Sequence, residues 1–95
     1  MRVISKKAIR AFVKIHPDAI EPLNHWWRIT QKATWSSLMD VRDDFGHADA
    51  VGKYTVFNVA GNKYRLIASI NYRWQVVYIR RILTHAEYDK GGWKL

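Results

Sequence analysis

Residues 75–89 constrain this chain more than any other stretch. Gln75-Val76-Val77-Tyr78-Ile79-Arg80-Arg81-Ile82-Leu83 is rich in β-branched and aromatic residues and reads as a strand. An arginine pair interrupts the apolar run, where a strand serving packing alone would carry another aliphatic residue. Thr84 and Glu87 follow with capping-box spacing, which predicts a helical turn starting at Thr84. His85 and Tyr88, three residues apart, then share one face of that turn. A guanidinium, an imidazole and a phenol thus converge at the end of a buried strand, a set suited to a phosphate.

The residues just before this stretch supply its sheet. Tyr54-Thr55-Val56-Phe57-Asn58-Val59 reads as a strand, and Ala60-Gly61-Asn62 as a tight turn. The return strand runs Tyr64 to Ile70, and Asn71-Tyr72-Arg73 turns the chain again. Three strands on short loops make an antiparallel meander. Tyr64, Leu66, Ala68 and Ile70 alternate with Arg65, Ile67 and Ser69, so one face meets a helical layer and the other is expected to lie open. On that open face Arg65 and Arg80 form a cationic patch ending at His85 and Tyr88. Strand alternation turns Arg81 to the opposite face unless a bulge intervenes, which ranks it below Arg80.

The N-terminal half reads as helical. Met1–Ile4 is a short strand, Ser5 a helix N-cap, and Ala8, Ile9, Phe12, Val13 and Ile15 recur at helical spacing from Lys6 to Ile15. His16-Pro17 ends that helix, because the residue before proline avoids the helical region. A second helix starts between Asp18 and Pro22, with Asp18 and Glu21 at capping-box spacing. Ile20, Leu23, Trp27, Thr34 and Leu38 form one stripe of it, and Trp26, Ile29 and Ala33 another. Trp26 and Trp27 are core aromatics first and partner anchors second. Leu38, Val41 and Phe45 anchor a short acidic helix after Ser36-Ser37, and 46–52 is a loop.

Ninety-five residues make a single domain, 1–95, with no room for a second core. The chain has no cysteine, which excludes disulfides and thiolate metal sites. No apolar run approaches the roughly 20 residues of a membrane span, and the N-terminus lacks a secretory core, so a cytoplasmic location is expected. Net charge is +8. Residues 37–52 are acidic and both flanks are basic, which favours a polyanion, nucleic acid above all, as partner. His16, His25 and His47 form no metal set with His85, and no cofactor motif is present.

The run Phe57-Asn58-Val59-Ala60-Gly61-Asn62-Lys63-Tyr64-Arg65-Leu66, then Tyr78-Ile79-Arg80 and Thr84-His85-Ala86-Glu87-Tyr88-Asp89, resembles the HigB toxins of the RelE/ParE superfamily. The resemblance extends over nearly the whole chain, including the His16-Pro17 break and the helix with Trp26. It implies an α+β fold: two N-terminal helices packed on a mostly antiparallel sheet, with a short C-terminal helical turn. It also implies endonucleolytic cleavage of mRNA on the ribosome, and neutralisation by a cognate antitoxin, usually a HigA-type helix-turn-helix protein.

Metal-free RNA cleavage uses the substrate's 2′-OH as nucleophile and needs a base, an acid and a cation for the phosphorane. Arg65 and Arg80 suit the cation, since a planar fork matches phosphate oxygens. His85, at the start of a helical turn, is biased toward the neutral form that suits a base. Tyr88 serves stacking, hydrogen bonding or proton transfer. Lys53, Lys63, Arg73 and Lys90 are expected to hold the RNA backbone. Each residue also has a plainer role: Arg65 and Arg80 as solubilising strand residues, His85 as a cap, Tyr88 as a core lid. Two other functions fit the same chain: a ParE-like toxin acting on gyrase, and a non-catalytic RNA-binding module.

Overall fold

The computed structural model describes residues 1–94. Its sheet has five strands: β1 (Arg2–Ile4), β2 (Asp49–Val51), β3 (Tyr54–Val59), β4 (Tyr64–Asn71) and β5 (Val76–Thr84), in the order β1-β5-β4-β3-β2. Only the β1–β5 pair is parallel; the other three are antiparallel. Helices α1 (Lys6–Ile15), α2 (Ile20–Lys32) and α3 (Leu38–Asp44) precede β2, and α4 (His85–Asp89) follows β5. The α+β architecture read from the sequence is the one observed.

The three long strands lie where residue type places them, and β3 and β4 alternate across the sheet. Phe57, Val59, Tyr64, Leu66, Ala68 and Val77 point to the helical side and are buried with Ile9, Leu23, Trp26, Trp35 and Val41. Phe57 sits at the middle, with the rings of Trp26, Trp35 and Phe45 at 5.4, 6.3 and 5.3 Å. The four-residue β3–β4 turn, 60–63, carries positive φ at Ala60 (55°) and Gly61 (65°) and is closed by Lys63 N–H donating to the Ala60 carbonyl at 3.2 Å.

Three local expectations need correction. The loop at 46–52 contains β2, a three-residue edge strand whose register runs from Asp49↔Val56 to Val51↔Tyr54. It is too short to show alternation, and aspartate is depleted in strands. Helix α2 ends at Lys32, so Thr34 lies beyond it, and its buried face is Leu23, Trp26 and Thr30, with Ile20 42% exposed. The expected capping box of Asp18 and Glu21 does not form. Asp18 instead accepts from the Tyr64 hydroxyl at 2.6 Å and pairs with Lys63. Its Lys63 and Tyr64 hydrogen bonds hold the Asp18 carboxyl below its ordinary range, and the same contacts push Lys63 and Tyr64 up.

The other side of the sheet is not fully open. Val56 and Ile67 are buried there beneath Trp93, in a 3-10 turn at Gly92–Lys94, with Tyr54, Leu83 and Tyr88 around them. Nothing in the alternation of the strands signals this cover, because it comes from one tryptophan beyond the last periodic segment.

Candidate functional site

The strand pairing of β4 with β5 decides which arginines share a face. Leu66 pairs with Ile82 and Ile67 with Arg81, but Ala68 pairs with Ile79. Arg80 is therefore the extra residue of a β-bulge. The bulge cancels one step of alternation, and Arg81 stands opposite Ile67 on the outer face. Arg80 reaches the same side, its Nε donating to Ser69 Oγ at 3.0 Å and its guanidinium lying 4.9 Å from the Tyr78 ring. Unbroken alternation would have sent Arg81 into the helical layer, so the bulge is what places a second arginine outside.

Helix α4 begins where the sequence places it. Glu87 N–H donates to Thr84 Oγ1 at 3.2 Å, and Thr84 N–H donates to Glu87 Oε1 at 2.9 Å, closing both arms of the capping box. The Thr84 N–H, helped by the Thr84 hydroxyl, holds the Glu87 carboxyl below its ordinary value. His85 N–H donates to the Lys63 carbonyl at 3.1 Å, which fixes the helix start to the β3–β4 turn. One turn along, Asp89 Oδ2 lies 2.9 Å from His85 Nδ1. A carboxylate only accepts, so a hydrogen bond at this contact would put the proton on Nδ1 and leave Nε2 for another partner. Asp89 was not singled out in the sequence, although its spacing of four from His85 was there to read.

Arg65 sits in the middle of this arrangement and is buried, 8% exposed. Its guanidinium donates to the Asn62 carbonyl (3.1 Å), the Tyr64 carbonyl (3.2 Å) and Asn62 Oδ1 (3.1 Å), and lies 5.5 Å from the Tyr88 ring centre. The expectation of an open patch formed by Arg65 is thereby revised: its fork is committed to the β3–β4 turn and to supporting Tyr88. Tyr88 also stacks on Trp93, with ring centres 5.0 Å apart and planes 17° off parallel, and its carbonyl accepts from Trp93 Nε1 at 2.9 Å.

The structure brings Arg65, His85 and Tyr88 together at one end of the β4–β5 pair. Arg80 is anchored at Ser69, four residues along the strand from Arg65, or roughly 13 Å. Arg81 is nearer, and it lines a cleft of about 280 Å³ with Leu83, Glu87, Lys90 and Trp93. Of the expected backbone-binding residues, Lys90 is in this cleft and Lys53 lies farther along the outer face, beside Tyr54. Lys63 is paired with Asp18. Arg73 stacks on the exposed Trp74 in the β4–β5 loop, at the opposite end of the sheet from α4. Among the described residues no three His, Asp or Glu side chains gather as a metal site, and no helix is long and apolar enough to cross a membrane.

Residues 19–91 match the family described as HigB toxin, RelE-like toxic component of a toxin-antitoxin system. The chain is 30% identical over 93 residues to the mRNA interferase HigB of Escherichia coli O6:H1, covering 95% of this chain and 90% of that protein. It is 43% identical over 58 residues to the mRNA interferase toxin HigB of Escherichia coli K12, and equally to the mRNA interferase HigB of Shigella flexneri. Those two alignments cover 61% of this chain and about half the length of the relatives, 49%.

Proposed function

The chain belongs to the HigB toxins, RelE-like toxic components of toxin–antitoxin systems, and on that premise we propose that it is an mRNA interferase. It cleaves mRNA during translation on the ribosome, by attack of the substrate's own 2′-OH on the adjacent phosphate. The observation that carries the reading is the bulge at Arg80, which gives the outer face Arg81 alongside the helix bearing His85 and Tyr88. A face built for solubility alone has no need of a bulge that turns an arginine out beside Glu87, Lys90 and the tryptophan on which Tyr88 stacks.

The roles follow from where each group stands. Arg81 and Lys90 supply positive charge to the phosphorane, preorganised and therefore cheap to use in the transition state. His85 through Nε2 and Tyr88 through its hydroxyl form the proton-transfer pair: one takes the 2′-OH proton and the other delivers a proton to the departing 5′ oxygen. The new bond joins the 2′ oxygen to phosphorus and the bond to the 5′ oxygen breaks, leaving a 2′,3′-cyclic phosphate and a 5′-hydroxyl. Arg65 is a positioning residue that holds the Tyr88 ring from behind. Arg80 binds the RNA backbone one step along the outer face. A cognate antitoxin of HigA type, a helix-turn-helix protein, neutralises the toxin in the cytoplasm. Holding the 2′-OH beside the phosphate is itself worth about 7–11 kcal/mol when oriented.

The test is a translation extract supplied with the purified chain and a reporter mRNA, with the cut ends mapped chemically. Cyclic phosphate and 5′-hydroxyl ends are expected, and a 2′-deoxy nucleotide at the cut should abolish the product. Cleavage of the deoxy substrate at the normal rate would exclude the 2′-OH route. Cleavage of naked mRNA at the same rate without ribosomes would remove the ribosome from the reading.

A further inference from the structure

A second cleft on the outer face lies beyond Trp93 from Arg81. It measures about 210 Å³ and is lined by Val51, Gly52, Lys53 and Tyr54 from the β2–β3 hairpin and by Lys94 from the C-terminal turn. Tyr54 is its aromatic wall and Lys53 and Lys94 bring an ammonium group each, with Trp93 beside Tyr54. The Tyr54 and Trp93 rings stand 6.0 Å apart at 61°. Lys53 Nζ lies 5.4 Å from the Tyr54 ring and Lys94 Nζ 5.7 Å from the Trp93 ring. Among the described residues no acidic side chain lines the cleft. Single-stranded RNA is recognised by this pairing of a stacking surface with flanking cations.

We propose that the cleft of Lys53, Tyr54 and Lys94 is a nucleotide subsite that takes one unpaired base next to the cleaved phosphate. The inference rests on the mRNA-cleavage reading above and adds a place for the neighbouring nucleotide. Trp93 forms a partition between the two clefts, with Arg81 and Lys90 on one side and Lys53 and Lys94 on the other. In the free chain the two ammonium groups rest over aromatic rings. Stacking of a base on an aromatic face outweighs an exposed cation–π contact, so an entering base displaces the lysines. Their flexible stems then let them swing to the phosphates on either side of that base.

Amide chemical shifts of the chain, titrated with a short unpaired oligoribonucleotide (deoxy at the cut position to prevent cleavage), test this. Shifts are expected at Gly52, Lys53, Tyr54 and Lys94 as well as at Arg81 and Lys90. The double variant Lys53→Gln, Lys94→Gln should bind roughly tenfold more weakly and lower the log–log salt slope by about 1.4, as two lost single-strand phosphate contacts require. Its amide spectrum otherwise reports whether the fold is intact. Shifts at Arg81 and Lys90 with none at 52–54 or 94 would overturn the subsite and leave the cleavage reading standing. No shift anywhere at millimolar oligonucleotide would overturn the subsite, while the cleavage reading, which requires the ribosome, stands or falls on the translation-extract assay. An unchanged affinity and salt slope in the double variant would also overturn the subsite.

Discussion

The two faces of the β3–β4–β5 sheet are built from the same strands and solve different problems. On the inner face Phe57, Leu66, Ala68 and Val77 meet helices, and every residue is explained by what it fills. On the outer face Val56 and Ile67 are buried beneath Trp93 and Arg65 is buried against the β3–β4 turn, while Arg80 and Arg81 stay exposed at positions that packing would give to aliphatic side chains. Where a sheet face spends strand positions on charge and repairs its alternation with a bulge, stability is not the reason for its composition. The difference separates residues that make the fold from residues that use it.

That separation can be broken, most forcefully at the centre of each face. Phe57→Ala should cost about 3–5 kcal/mol in urea denaturation, since the ring is buried among three others. Arg81→Ala should stay within about 0.5 kcal/mol of the parent, yet lower mRNA cleavage by about 10²-fold or more. Equal destabilisation by both variants would erase the distinction between the faces.

Arg65 and Arg80 sharpen the comparison, because one is buried and the other exposed. Arg65→Met should lose about 1–3 kcal/mol through the orphaned Asn62 and Tyr64 acceptors and also reduce cleavage, by releasing Tyr88. Arg80→Ala should leave stability unchanged and reduce cleavage by less than tenfold. An Arg80 variant more damaged in cleavage than an Arg81 variant would reverse the ranking that the bulge suggests. His85→Ala and Asp89→Ala should each reduce cleavage without adding, since Asp89 acts through the imidazole. Full additivity in the double variant would mean the two act separately.

The smallest effect belongs to the cap. Thr84→Ala should cost about 1 kcal/mol. Glu87 has its pKa lowered in the folded chain, so its contribution is present at neutral pH and fades only as pH falls through that depressed value, below the ordinary glutamate range. The stability gap between the parent and Glu87→Ala should therefore be constant near neutrality and close in acid. A gap that closed on the alkaline side instead would contradict the cap.

Much of this was legible beforehand for a physical reason: strong periodicity. The strands at 54–59, 64–71 and 76–84 and the cap at Thr84 declare themselves through residue type and spacing. The family resemblance was equally readable, because its two C-terminal motifs are local in sequence. What was hidden depends on pairing between strands or on single residues. The bulge is a property of two strands together, so the outward turn of Arg81 could be stated only as a condition. Trp93 covers Val56 and Ile67 from outside any periodic segment, and β2 is too short to have a period. Spacing alone makes Asp18 a cap, because spacing is blind to a tyrosine and a lysine that lie 45 and more residues away.

Strand β1 pairs with Val76–Tyr78 and with no other strand. During synthesis it must wait for about seventy further residues, and at 5–20 residues per second that delay is about 4 to 15 s. The arginine pair and α4 arrive in the same late segment. A nascent chain can therefore gather its helices and the β3–β4 hairpin early while holding no assembled phosphate site. The proposed site is complete only once the strand that closes the sheet has emerged.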